Sequence, residues 1–170
     1  KLKPYNVILA SGSPRRQQYF RDLDIDFSIQ LKEIEEIYPN ELKGAEITDF
    51  LAEKKASFYS NIIKKNTVVI TSDTIVWIKD KALGKPKNNK NAKEILRTLS
   101  DNTHKVITSF CIKTIDKKII VNDTTKVSFK KLTEQEIDYY VDNNNVLDKA
   151  GAYGIQDWIG YIGITSIEGT

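Results

Sequence analysis

The feature that most narrows what this chain can fold into is a junction near its start. The unbroken apolar run Val7-Ile8-Leu9-Ala10 passes at once into Ser11-Gly12-Ser13-Pro14-Arg15-Arg16. Four apolar residues ending at a turn predict a buried strand, and Ser13 followed by Pro14 predicts a helix N-cap and first helical residue. The helix so begun carries Tyr19, Phe20 and Leu23 on one side, and residues 27–31 alternate as a half-buried strand. A second helix is predicted over about 45–61, with Ile47, Phe50, Leu51 and Phe58 inward. Val68-Val69-Ile70 reads as another buried strand that delivers Asp73 at its far end, and residues 75–78 continue extended to a turn at Lys79-Asp80-Lys81. Ala92, Ile95, Leu96 and Leu99 fall at i, i+3, i+4 and i+7, the stripe of a third helix. Strands over 105–115 and 118–129 flank the Asp116-Lys117 turn as a hairpin. Thr133-x-x-Glu136 is a capping box opening a fourth helix, with Ile137, Tyr140 and Val141 inward and the Asn143-Asn144-Asn145 run at its end. Alternating strands and helices followed by a hairpin give an α/β class with a mixed sheet.

Composition excludes several function classes. The chain has 170 residues, 40% apolar and 29% charged, the balance of a soluble globular domain. No apolar run approaches the roughly twenty residues of a membrane span, and the first one is too short for a signal peptide. With no Met, the chain is expected to begin after its initiator or to be trimmed. Cys111 is alone, which rules out an internal disulfide framework and a cysteine zinc site, and a cytoplasmic setting is expected. The net charge of +3 is spread along the sequence, not clustered as in a nucleic-acid binder, so neither nucleic acid nor membrane is an expected partner.

Chemistry could sit at several places. A helix N-terminus offers unpaired N–H groups and partial positive charge, and Ser11, Ser13, Arg15 and Arg16 add hydroxyl and fork-shaped donors suited to phosphate. Both arginines stand in the first turn, where the helix dipole disfavours them, so a bound anion explains them better than solvation does. Asp73 in Thr71-Ser72-Asp73-Thr74 could hold Mg²⁺ or take a proton from attacking water; it could equally cap a turn. The acidic stretch Glu33-Ile34-Glu35-Glu36 could complete a metal site with Asp73, although a solvated loop is the plainer reading. Lys85 and Lys149 stand in Gly-containing turns, where lysines are more often solvated. Lys55, spaced with Leu51 and Phe58, is oddly placed for an idle charge. Gln156, closing Gly151-Ala152-Tyr153-Gly154-Ile155-Gln156, could read a base edge; the alternative is a tight turn with a packed Tyr. His104, the single His, is expected to be structural or exposed.

Taken in order, these segments resemble the Maf family. Ala10-Ser11-Gly12-Ser13-Pro14-Arg15-Arg16, Leu51-Ala52-x-x-Lys55-Ala56, Ser72-Asp73-Thr74, Leu83-Gly84-Lys85-Pro86 and Asp148-Lys149-Ala150-Gly151-Ala152-Tyr153-Gly154-Ile155-Gln156 look like its successive signatures and cover nearly the whole chain. The resemblance implies a mixed twisted sheet with flanking helices, bilobed around a central cleft, as in inosine-triphosphatase-like proteins. It implies that residues 1–170 form a single bilobed domain lacking the family's C-terminal segment. The implied activity is hydrolysis of a nucleoside triphosphate between the α and β phosphates, giving monophosphate and pyrophosphate. On that reading Asp73 is the general base. Glu36, with Glu35 beside it, is the acidic metal or water partner, and the three carboxylates would hold Mg²⁺ or Mn²⁺. Lys55 and Lys85 meet the phosphates, and Lys149 counts among the substrate contacts. Arg15, Thr74 and Gln156 set substrate choice and are similar to the dTTP/UTP branch. Family members are often dimers, so a homodimer is implied. Ser72 stands where the family usually has Ala or Gly, and Ser109-Phe110 where it has Gly-Val. The rival readings are a non-catalytic nucleotide-binding regulator, for example of cell division, and a nucleic-acid-binding module.

Overall fold

The structure is a computed structural model, and it describes residues 4–169. Its elements run β1 (Asn6–Leu9), α1 (Pro14–Asp22), β2 (Ser28–Ile29), α2 (Ala45–Ser57), β3 (Thr67–Ile78), β4 (Lys81–Leu83) and α3 (Asn89–Leu99). Then come β5 (Thr103–Lys113), β6 (Lys118–Phe129), α4 (Glu134–Asn143), α5 (Trp158–Gly163) and β7 (Ile164–Glu168). The strands form a mixed sheet in the order β2-β1-β3-β5-β6-β7, with β4 paired to β3. The α/β mixed-sheet class expected from sequence is therefore the observed one. The chain divides into two compact units, Lys1–Asp73 with Thr108–Asn122, and Thr74–Ile107 with Asp123–Thr170.

In the first unit β1 and β3 are parallel, with Asn6 opposite Thr67 and Leu9 opposite Ile70. Ile8, Val69, Tyr59 and Ile63 pack together there. Three expectations need correction. Helix α1 buries no residue: Tyr19 and Leu23 are exposed, and Phe20 instead meets Phe27 edge-on at 5.5 Å. Strand β2 is two exposed residues at the sheet edge, where nothing covers an alternating face. Helix α2 stops at Ser57 instead of near Asn61; the hydroxyls of Ser57 and Ser60 donate to the carbonyls of Lys54 and Ser57, each at 2.7 Å, and a 3-10 turn follows at Ser60–Ile62. Phe58 is thus left beyond the helix, and it and Phe50 are exposed, not inward.

The longest correction concerns β3. The expected strand at 68–70 and extended stretch at 75–78 are one strand of 12 residues, running straight through Thr71-Ser72-Asp73-Thr74. Thr71 can stay in it because its hydroxyl donates to the Ala52 carbonyl at 2.6 Å, satisfying a buried polar group. Lys79 and Asp80 both take positive φ, 49° and 57°, closing β3 onto β4 as a two-residue hairpin that opposes Ile78 to Lys81.

The second unit holds the largest core. The α3 stripe is as expected: Ala92, Ile95, Leu96 and Leu99 are all buried, packed with Ile137, Tyr140 and Val141 of α4. The capping box is complete, with Glu136 N–H donating to Thr133 Oγ1 at 3.2 Å and Thr133 N–H to Glu136 Oε2 at 2.8 Å. Thr133→Ala should cost about 1 kcal/mol of unfolding free energy, read as a lower urea midpoint at unchanged slope.

His104 is structural. Its ring stacks on Phe129 at 5.6 Å, and Nε2 lies 2.6 Å from the Tyr153 hydroxyl, while Nδ1 has no hydrogen-bond partner. Burial lowers its pKa from 6.5 to about 4. The unfolded chain therefore takes up a proton before the folded one does. The stability contributed by neutral His104 is complete above pH 6.5 and is lost as pH falls toward 4. Urea titrations at stepped pH should show the parent losing more stability than His104→Gln as pH falls from 6.5 toward 4.

Candidate functional site

The parallel register of β1 and β3 brings the turn after β1 level with the polar middle of β3. Ala10 N–H donates to the Ile70 carbonyl at 2.9 Å, and the next residues of the two strands are Ser11 and the Thr71–Asp73 stretch. Arg16 fastens the two together: its Nη1 donates to Ser11 Oγ at 3.3 Å and to the Ser72 carbonyl at 3.1 Å. Burial lowers the Arg16 pKa, with the charges of Asp73 and Glu36 opposing that shift and Arg15 adding to it. Arg15, by contrast, is exposed. The two arginines thus divide: Arg16 braces the turn against β3, and Arg15 faces outward.

Ser13 opens α1 with Pro14 at the first position, as expected, but its side chain makes no capping bond. Its N–H donates instead to Ser11 Oγ at 3.3 Å. A Cβ added to Gly12 would come no nearer than 3.5 Å to Leu31, an ordinary contact. The fold itself therefore does not require glycine there, whereas an approaching ligand would benefit from the missing side chain.

Asp73, expected past the end of a strand, lies inside β3 with its side chain only 7% exposed. With no turn there, the turn-capping alternative is removed. Its Oδ1 lies 2.5 Å from Lys55 Nζ, and the same ammonium lies 2.7 Å from Glu36 Oε1. The Thr71 hydrogen bond to Ala52, one turn before Lys55 on α2, helps hold that helix against the strand. Burial raises the Asp73 pKa above the ordinary carboxylate value. Lys55 is the main opposing influence, Glu36 adds to the rise, and Arg16 opposes it. A buried carboxylate whose proton affinity is raised, yet which is held beside two cations, is the electrostatic profile of a proton acceptor. The unexpected Ser109 has a partner as well, donating to Asp49 Oδ1 of α2 at 2.6 Å, where Asn122 Nδ2 also donates.

Asp73 and Glu36 meet at one ammonium, but Glu35 does not complete a three-carboxylate set. Among the described residues no group of three or more His, Cys, Asp or Glu could hold a metal. Glu35 is exposed, and its carbonyl accepts from Lys54 Nζ at 2.9 Å.

In the second unit the two glycine-containing turns lie against one another, since Gly151 N–H donates to the Gly84 carbonyl at 3.0 Å. Gly151 has a φ of 70°, and a Cβ on it would sit 2.5 Å from Val76 Cγ2, so no other residue fits. Lys85 and Gln156 are exposed and Thr74 is half-buried. Lys149, for which solvation was the plainer reading and substrate contact the implied one, is buried: it bonds the Asn145 carbonyl and lies 3.2 Å from Asp148 and 3.7 Å from Asp157. Asp157, which sequence reasoning passed over, also accepts from the Tyr140 hydroxyl at 2.5 Å. Tyr153 is packed beside His104, as the tight-turn alternative anticipates.

Comparison with known proteins places this geometry in context. A protein from Flavobacterium johnsoniae called dTTP/UTP pyrophosphatase is 55% identical over 170 residues, covering all of this chain and 88% of that protein. A protein of the same name from Christiangramia forsetii is 48% identical over 169 residues, covering 99% and 86% respectively. Among solved structures, the Staphylococcus aureus Ham1 protein aligns with a TM-score of 0.49 and 14% identity, over 73% of this chain and 71% of that one, a likeness too loose to argue from. The family model described as Maf-like protein matches residues 6–170, so the chain belongs to the Maf-like protein family.

Proposed function

We propose that this protein is a nucleoside triphosphate pyrophosphatase that hydrolyses the α–β phosphate bond of dTTP or UTP, releasing the monophosphate and pyrophosphate. The observation that carries the proposal is the convergence of Asp73, Glu36, Lys55 and Arg16 in the first unit. The relatives called dTTP/UTP pyrophosphatase support the substrate class.

Asp73 accepts the proton of the water that attacks the α phosphorus, and pyrophosphate leaves in line with that attack. Lys55 has two duties. It keeps Asp73 ionised against the pull of burial, and its positive charge favours the anionic transition state. Arg15, exposed at the start of α1, meets phosphate oxygens beside the turn that Ser11 shapes. Asp73 and Glu36 suit a divalent cation, since Mg²⁺ and Mn²⁺ sites commonly use one or two carboxylates plus substrate phosphates. Such an ion would neutralise charge building on the phosphate oxygens. From the second unit, Thr74, Lys85, Lys149 and Gln156 are assigned to the substrate by the family resemblance. Lys149, already engaged by Asp148 and Asp157, is the one whose substrate contact needs a rearrangement. The cytoplasmic setting and the homodimer belong to the same proposal. No helix among the described residues is long and apolar enough to cross a membrane.

Pyrophosphate release from a panel of triphosphates with Mg²⁺ or Mn²⁺ is the deciding assay, and triphosphate bound without release would point to the regulator reading. Asp73→Asn should retain nucleotide binding and lose at least roughly a hundredfold in kcat, the scale of general-base catalysis; near-normal turnover would remove Asp73 as the base. Because burial means Asp73 takes its proton at higher pH than a free carboxylate, kcat/KM should fall on acidification with an apparent pKa above that of a free aspartate. Arg15→Ala should raise KM for triphosphate roughly tenfold, the loss of one charge-assisted contact.

A further inference from the structure

We infer that Lys54 is a positioning residue that fixes the backbone on either side of Glu36, so that Glu36 can meet Lys55 and Asp73; the functional part of this inference rests on the activity proposed above. The chain between β2 and α2 has no helix or strand over residues 30–39, and Glu36 lies in the middle of it with its side chain 49% exposed. An ion pair that open to water is worth only about 0.2–1 kcal/mol. That is small against the roughly 1–2 kcal/mol per residue needed to order irregular backbone. The Lys55–Glu36 contact alone therefore does not account for the placement of the segment.

Lys54 adds a hold on the main chain at Glu36 itself. Its Nζ donates to the Glu35 carbonyl at 2.9 Å and to the Ile37 carbonyl at 3.0 Å, the two carbonyls that bracket Glu36. Each bond is as open to water as the Lys55–Glu36 contact, so what counts is that two bonds act on one short stretch of main chain. Holding both neighbours restricts the Glu36 backbone more than one bond could. Successive residues on a helix point about 100° apart, so the lysines closing α2 take different parts of one segment. Lys54 takes its main chain, and Lys55 takes its carboxylate and ties it to Asp73. A lysine serving only to complement the negative end of the helix dipole would have no reason to reach two consecutive-but-one carbonyls across 17 and 19 residues of sequence.

The test compares the parent with Lys54→Met, which keeps the aliphatic stem but removes the donors, and Lys54→Arg, whose fork can reach both carbonyls. Amide hydrogen exchange read by mass spectrometry should rise roughly tenfold or more over residues 33–38 in Lys54→Met, stay unchanged in α3 and α4, and return toward the parent in Lys54→Arg. With dTTP, Lys54→Met should lower kcat roughly ten- to a hundredfold with KM little changed, the scale of a misplaced catalytic group. In a Glu36→Gln background it should add no further loss, because its effect passes through Glu36. Unchanged exchange over 33–38 overturns the inference. So does raised exchange with unchanged kcat, or losses from the two substitutions that simply multiply. If the parent releases no pyrophosphate from any triphosphate, the proposed function fails, and the exchange result alone decides whether Lys54 holds the segment.

Discussion

The ammonium of Lys55 is the contact on which the arrangement of charges in the first unit depends. An ionised carboxylate as buried as Asp73 is costly in a low-dielectric interior, and a cation 2.5 Å away offsets much of that cost. Removing Lys55 would take away the main influence that opposes the cost of burying the charged carboxylate. The pair therefore dictates geometry well beyond itself: α2 must keep its last turn facing β3, and the buried bond from Thr71 to Ala52 helps it do so. Glu36, on the same ammonium, couples an irregular segment to a regular one.

Arg16 performs a related task at the start of α1. A helix first turn is electrostatically unwelcoming to an arginine, and this one lies inward, bonded to Ser11 and to the Ser72 carbonyl. It locks the turn onto the strand carrying Asp73. Its neighbour Arg15 remains outward, so two identical side chains in succession serve different ends. Ser72 contributes through its carbonyl, while its buried hydroxyl has no hydrogen-bond partner.

What could be read from the sequence followed the strength of its periodicity. The stripe of α3 and the reciprocal cap of α4 are dictated by local rules, and both are present as expected. Lys55 was visible because a charge stood at apolar spacing, and it proved to hold two carboxylates. The continuity of β3 was hidden because four polar residues interrupt its apolar pattern, and only tertiary partners such as Ala52 and Lys55 make them tolerable inside a strand. Helix α5, six residues long, is too short to show a helical period, and β7 is largely exposed, so neither leaves a hydrophobic signature. The opposite error occurred at α1, where Tyr19 and Leu23 have core-like spacing but face outward. Lys149 and Asp157 meet through folding between positions eight residues apart, a pairing that no local pattern announces.

Mounting Asp73 within a strand of 12 residues has a consequence for how such a protein could adapt. The Asp73 main chain belongs to the sheet, so inter-strand pairing and not a surface loop sets its position. Glu36, carried on irregular backbone, has no such pairing. Variants tuned to cold or heat would be free to change the residues that tether the latter, while the strand around the former stays nearly fixed.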